Sequence, residues 1–235
     1  MNSLPFYKMQ AQGNDFVVLN GLTSTLPEFT EAWVRRITER RYGIGCDQLL
    51  VLEQSDKADA AIRIFNNDGS EAANCGNGLR CVGQLLIELL GKEFVLIALK
   101  DRIVRAEAGI NGICVEMGPA TVINSTDAHV DIDIGNKHRV FFEATEAFPS
   151  DLNVEIVTGQ IANHVYIDII ERGAGRTLAC GSGACATAAA IWFSEGEVRP
   201  LTIEMPGGTV TVSGCAKNVR LEGPVTQTFA GVFTA

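Results

Sequence analysis

Two short stretches each place a thiol where a helix is about to begin: "NCGNGLRCVGQLLIELLG", residues 74–91, and "ACGSGACATAAAIWFSEG", residues 179–196. In each, a cysteine (Cys75 or Cys180) is followed by Gly-x-Gly and then by an apolar run with helical spacing. A helix N-terminus presents unpaired N–H groups and a partial positive charge, so it stabilises a thiolate and lowers a cysteine pKa from its usual value of about 8.5. The glycines leave bare the N–H groups of Gly76-Asn77 and Gly181-Ser182, the same geometry that holds carboxylates and phosphates. A thiol and half of an anion cradle are encoded twice.

Blander readings compete. A single cysteine is most often an inert buried hydrophobe, but two copies in one local context favour reactive groups; Cys46, Cys81, Cys114, Cys185 and Cys215 lack that context and read as core or incidental thiols. Cys75/Cys81 with Cys180/Cys185 as four zinc ligands would need knuckle spacing that this chain lacks, so no metal is expected. A Cys75–Cys180 disulfide would be an idle, oxidised form in a reducing compartment. "GSGACA" matches G-x-G-x-x-A, yet the nearest predicted strand ends near Ile170, too far upstream for a dinucleotide fingerprint.

The elements that must position the thiols also repeat. Short β-rich runs recur: "DFVVLN", "QLLVLE", "AAIRIFN", "EFVLIAL", "RIVRAEA", "GICVEM", "HRVFFEA", "VEIVTG", "HVYIDII", "LTIEM", "TVTVSG" and "NVRLEG". Three helices are predicted. One runs from Glu31 to Arg41 with Thr30 as its cap, and the others follow Cys75 and Cys180 and end near Gly91 and Gly196. The cysteines are offset by 105 residues, and Asn66 and Glu171, each closing an apolar run, keep that offset. The pattern predicts an α+β chain of two halves, 1–118 and 119–224, each reading strand, polar loop, Cys-Gly-x-Gly, helix. Residues 225–235 are a further strand able to join either half.

At 235 residues the chain has room for two such units. Its hydrophobic fraction is 46%, yet no apolar run reaches a membrane span of about 20 residues, and the N-terminus lacks signal-peptide character. A net charge of −9 without a basic cluster argues against nucleic acid and anionic membrane as partners. Seven cysteines, an odd number, suit reduced thiols in the cytoplasm better than a disulfide framework.

"KMQAQGNDFVVLN", "RYGIGCDQLL", "RIFNNDGSEAANCGNGLRCV", "IGNKHRVFF", "NVEIV", "ERGAGRTLACGSGACA" and "LEGPVTQTFAG", in that order, make the sequence resemble the diaminopimelate epimerase family over nearly its whole length. The resemblance implies two pseudo-symmetric β-rich domains, each wrapped around a central helix, with a small amino-acid substrate in the cleft between them. It implies a cofactor-independent epimerase that interconverts LL- and meso-2,6-diaminopimelate for lysine and peptidoglycan precursors, and it allows a homodimer. By position, it implies Cys75 and Cys180 as acid/base residues and Gly76, Asn77, Gly181 and Ser182 as the carboxylate cradle. Asn14, Gln48, Asn66, Asn136, Asn153 and Arg172 match positions that hold the rest of the substrate, Glu171 lies among them, and His138 and Glu171 match residues that tune the thiols.

Without the resemblance, Asn66 and Asn136 are turn residues, Asn153 is a strand terminus and Glu171-Arg172 is a solvated pair. Departures from the family pattern are Gln10-Ala11 where His-Gly is usual, Lys137 where Pro is usual, and a shortened segment between His138 and Asn153. Proline, hydroxyproline or histidine-type racemases and epimerases, or a module that merely holds an amino acid, are the alternatives.

Overall fold

Alternating β-branched and aliphatic residues hold most of this chain in strands, because such side chains fit a pleated, half-buried surface. The computed structural model describes residues 3–143, 145 and 148–234. These fall into two compact units, one within Met1–Ala108 with Val225–Ala235 and the other Gly109–Pro224. The expected α+β class, two β-rich units each built around a helix, is the fold the chain adopts.

The first unit comprises β1 (Ser3–Ala11), β2 (Asn14–Asn20), α1 (Glu31–Thr38), β3 (Gln48–Glu53), β4 (Ala60–Asn66), β5 (Glu71–Ala72), α2 (Gly76–Leu90), β6 (Phe94–Ala98) and β7 (Ile103–Gly109). The second comprises β8 (Gly112–Gly118), β9 (Thr121–Ser125), β10 (His129–Asp133), β11 (Lys137–Phe141), β12 (Asn153–Ile161), β13 (His164–Glu171), β14 (Gly175–Arg176), α3 (Gly181–Glu195), β15 (Leu201–Met205), β16 (Gly208–Cys215) and β17 (Asn218–Gly223). A last strand, β18 (Thr226–Thr234), returns to pair with β1. The division falls before Gly118 because β8 pairs with β17.

Both units repeat one order of pairings. In the first, β18-β1-β2 are antiparallel, β2-β3 parallel, β3-β4 antiparallel and β4-β6 parallel. In the second, β9-β10-β11 are antiparallel, β11-β12 parallel, β12-β13 antiparallel and β13-β15 parallel. A two-residue strand, β5 or β14, folds back on the end of β4 or β13 and delivers the chain to its helix. Both helices have 15 residues and close on a left-handed glycine, Gly91 at φ 62° and Gly196 at φ 70°, where an L side chain would be strained. α2 packs on β1, β2 and β6, and α3 on β10, β11, β12 and β15 to β17.

Three details differ from the sequence reading. The first helix ends at Thr38, not Arg41, because Glu39 turns extended and its carboxylate accepts the Arg41 N–H at 2.6 Å. β1 is a full strand despite Pro5, which pairs only with Val232 because β2 begins its pairing at Tyr7. β9 and β10 were not anticipated, and of the "HRVFFEA" run only the part through Phe141 is strand, with Ala144 outside the described residues.

A charged cluster ties β2 to the loop before β3. Arg40 Nη1 and Nη2 donate to Asp15 at 2.9 and 2.7 Å, and Nη2 also reaches Asp47 at 2.7 Å. Lys8 Nζ donates to Asp15 and to the Gly45 carbonyl. Burial alone would raise the Asp15 pKa, but the Arg40 and Lys8 hydrogen bonds and charges overcome it and bring it to about 2. A folded value below the unfolded one contributes stability that is complete above the unfolded pKa of about 4 and is lost as pH falls through about 2. Asp15→Asn is therefore expected to lower the melting temperature near neutral pH, with the gap to wild type closing towards pH of about 2. Differential scanning calorimetry across that range checks this; a gap independent of pH would contradict it.

Candidate active site

In the first unit Cys75 takes the N-cap position of α2, with extended backbone (φ −154°, ψ 103°), and its Sγ accepts the Gly78 N–H at 3.3 Å. A thiol thus fills the place usually held by a Ser, Thr, Asp or Asn oxygen. Glycine at 78 keeps this approach open: a Cβ there would stand 3.2 Å from both Leu50 methyls, closer than side chains usually pack, and 3.4 Å from Sγ. Asn77 follows, buried, with its Nδ2 donating to Asn14 Oδ1 at 3.3 Å. Asn14 in turn donates to Asp47 at 2.9 Å. Gln48 and Asn66 are cross-strand partners on β3 and β4, joined Nε2 to Oδ1 at 2.8 Å, and Asn66 also donates to Ser70 Oγ at 3.0 Å.

In the second unit Cys180 caps α3 in the same way (φ −130°, ψ 109°), with Sγ accepting the Gly183 N–H at 3.4 Å and lying 3.5 Å from Ser182 Oγ. Ser182 Oγ also receives Asn136 Nδ2 at 3.2 Å and faces His138 Nε2 at 3.1 Å. Glu171 accepts from Thr177 Oγ1 at 2.6 Å, and Asn153 Oδ1 accepts the Arg172 N–H at 3.0 Å. Burial raises the Glu171 pKa, with the Glu155 charge adding to it. Cys180 is driven well above the ordinary thiol range, first by burial and then by the charges of Glu171 and Glu155, against the opposing Ser182 and Gly183 hydrogen bonds. The other thiols outside the caps differ in setting: Cys46, Cys81, Cys114 and Cys185 are buried and Cys215 is exposed. Burial pushes the Cys46 thiol up to about 12.

The same sulfur cap, set at the end of the same strand order, therefore occurs once in each unit. The family described as "Diaminopimelate epimerase" matches residues 6–123 and again residues 121–227, one match to each half. The chain belongs to the diaminopimelate epimerase family. It is 36% identical over 269 residues to the diaminopimelate epimerase of Phenylobacterium zucineum and 34% identical over 259 residues to that of Erythrobacter litoralis, in both cases over 97% of this chain and 96% of the relative. Its fold superposes with a TM-score of 0.77 on a phenazine biosynthesis protein of the PhzF family from Bacillus anthracis, at 16% identity and complete coverage of both chains. No helix among the described residues of this epimerase is long and apolar enough to cross a membrane.

Two groups beside the caps went unremarked in the sequence. Arg80, fully buried, donates to Asn77 Oδ1 at 3.0 Å, to the Gly76 carbonyl at 3.5 Å and to Gln12 Oε1, so it braces the first turn of α2 from below. A charged residue inside an apolar helical run was the available sign. Glu155, also fully buried, accepts from His138 Nδ1 at 2.8 Å. Donor atoms of His138, Glu155 and Cys180 lie within 4.8 Å of one another, a set that zinc also favours. Here both ring nitrogens of His138 are engaged, by Glu155 and by Ser182, which is hydrogen-bonding geometry.

Proposed function

We propose that the chain interconverts LL- and meso-2,6-diaminopimelate by proton transfer at one α-carbon, with Cys75 and Cys180 as the base on one face and the acid on the other, in the formation of lysine and peptidoglycan precursors. The observation that carries this is the pair of thiol caps, each Sγ held by the N–H three residues on. Inverting a carbon requires removal of a proton from one face and delivery to the other, which a single group does inefficiently. Two similar thiols suit both directions, because either can begin as base and end as acid.

The substrate's chemistry fits the surroundings of the caps. Negative charge develops on the α-carboxylate as the proton leaves, and the N-terminal N–H groups of α2 and α3, at Gly76-Asn77 and Gly181-Ser182, stabilise it. Asn136 Oδ1 is buried and has no hydrogen-bond partner among the described residues, an acceptor suited to an ammonium group. The exposed Arg172, whose guanidinium makes no ion pair among the described residues, suits a second carboxylate, as do Asn14, Gln48, Asn66 and Asn153 the polar remainder. A substrate with an amino-acid group at each end uses both sets. No cofactor enters this route, and a homodimer is the assembly the family suggests.

The test is incubation of reduced protein with LL-diaminopimelate in deuterated water. The meso isomer should appear carrying deuterium, with label in product ahead of label in recovered substrate. Product that retains the original hydrogen, or no turnover beside turnover of proline or hydroxyproline, would refute the assignment.

A further inference from the structure

The Ser182 hydroxyl is saturated, and that saturation links Cys180 to His138. An alcohol oxygen has one hydrogen and two lone pairs. Ser182 Oγ has three neighbours: Asn136 Nδ2 at 3.2 Å, His138 Nε2 at 3.1 Å and Cys180 Sγ at 3.5 Å. The amide nitrogen can only donate, so it takes one lone pair. The remaining lone pair and the single hydrogen are left for His138 and Cys180, while Glu171, which also shares a hydrogen bond with Cys180, is a second acceptor for the S–H. When Ser182 donates to Nε2, its free lone pair is open to the Cys180 S–H; when Nε2 carries the proton, the Ser182 hydrogen is free to turn to the sulfur.

Behind the imidazole stands Glu155, fully buried, with one oxygen on Nδ1 at 2.8 Å and its other oxygen, also buried, without a hydrogen-bond partner among the described residues. The start of α3 presses on this carboxylate so closely that Gly183 has no room for a side chain. We propose, building on the two-thiol reading, that Cys180 exchanges its proton with His138 through the Ser182 hydroxyl, and that Glu155 is the positioning residue that holds the imidazole for that exchange. The step balances: the Cys180 S–H bond breaks and its proton joins the Ser182 oxygen, while the proton of Ser182 passes to Nε2. No electrons move between groups. The thiol and imidazole become thiolate and imidazolium beside an unchanged Glu155 carboxylate, so the net charge of the buried group is constant. Loss of the same proton to solvent would instead leave an added anion beside Glu155 and Glu171, which burial opposes.

The titratable groups facing His138 are Glu155 from β12, Glu171 from β13 and Cys180 from the start of α3. Asp131 on β10 and Arg139 on β11 are engaged with each other at 2.7 and 2.8 Å. The test uses the full chain and the pH profile of kcat/KM on LL-diaminopimelate for wild type, Ser182→Ala and Glu155→Gln, with Cys180→Ala as reference. Ser182→Ala keeps the backbone N–H of the carboxylate cradle, so KM is expected within about twofold while kcat falls about 10²-fold. Glu155→Gln preserves shape but removes the charge that supports an imidazolium. It should lower kcat comparably and move the acid limb of the profile to higher pH.

A carboxylate acting only as a nearby charge gives the opposite sign, since its removal eases ionisation of Cys180 and moves the limb to lower pH. That result, or unchanged kcat in Ser182→Ala, overturns the relay. If Glu155→Gln does not fold by circular dichroism, Ser182→Ala decides alone. An active Cys180→Ala would overturn the two-thiol reading itself, whereas an inactive Cys180→Ala beside an active Ser182→Ala overturns only the relay.

Discussion

Cys75→Ala and Cys180→Ala should each lower epimerisation by at least about 10³-fold, because neither thiol can perform the other's task. Each variant should remain folded. The lost Sγ contact is a single weak acceptor at a helix N-cap, worth about 1 kcal/mol, and Gly76-Gly78 and Gly181-Gly183 keep their backbone. The measurement pairs a chiral assay of both diaminopimelate isomers with thermal melting. Substantial epimerisation by either variant sinks the two-thiol mechanism, and unfolding of one would show its cysteine to be chiefly structural.

Gly183→Ala is expected to be nearly as damaging. An alanine Cβ at this position would lie 2.2 Å from Glu155 Oε1 and 2.9 Å from its Cδ. A flexible surface carboxylate would swing away, but Glu155 is fully buried and bonded to His138, so movement of one displaces the other. Overpacking of this kind costs about 3 kcal/mol, and displacement of His138 and Ser182 should cut kcat about 10²-fold. Gly196→Ala is the control at the other end of α3. Its Cβ meets nothing within 4 Å, and the left-handed φ of 70° limits the cost to about 1 kcal/mol with activity retained. Equal losses in the two variants would mean that helix stability, not the Glu155 contact, governs the first.

What was legible in the sequence was local. The cap at Cys75 and Cys180, the closing glycines Gly91 and Gly196, and the strand ends at Asn66 and Glu171 are written in neighbouring residues, and repetition doubled each signal. Glu155 was illegible for a physical reason. Val154, Glu155 and Ile156 are all buried, so β12 is covered on both faces and the alternation that normally reveals which way a strand residue points is absent. The Arg40-Asp15-Asp47 cluster joins residues from a loop after α1, β2 and the entry to β3, and no sequence period connects them. β1 was obscured by Pro5, which is tolerated only because β18 supplies its one partner strand there.

That partnership also orders events in time. Ser3 pairs with Thr234 and Gln10 with Thr226, so β1 waits for β18, which is synthesised only after the whole of the second unit. Until Thr226–Thr234 emerges, β1 has only β2 beside it and an open edge on the other side, an aggregation hazard for a nascent chain. Gly109–Pro224, a continuous segment, has all its strand partners before then. Translation therefore completes the unit that carries Cys180 while the unit that carries Cys75 is still missing a strand, and the second thiol in sequence is the first to find its native surroundings.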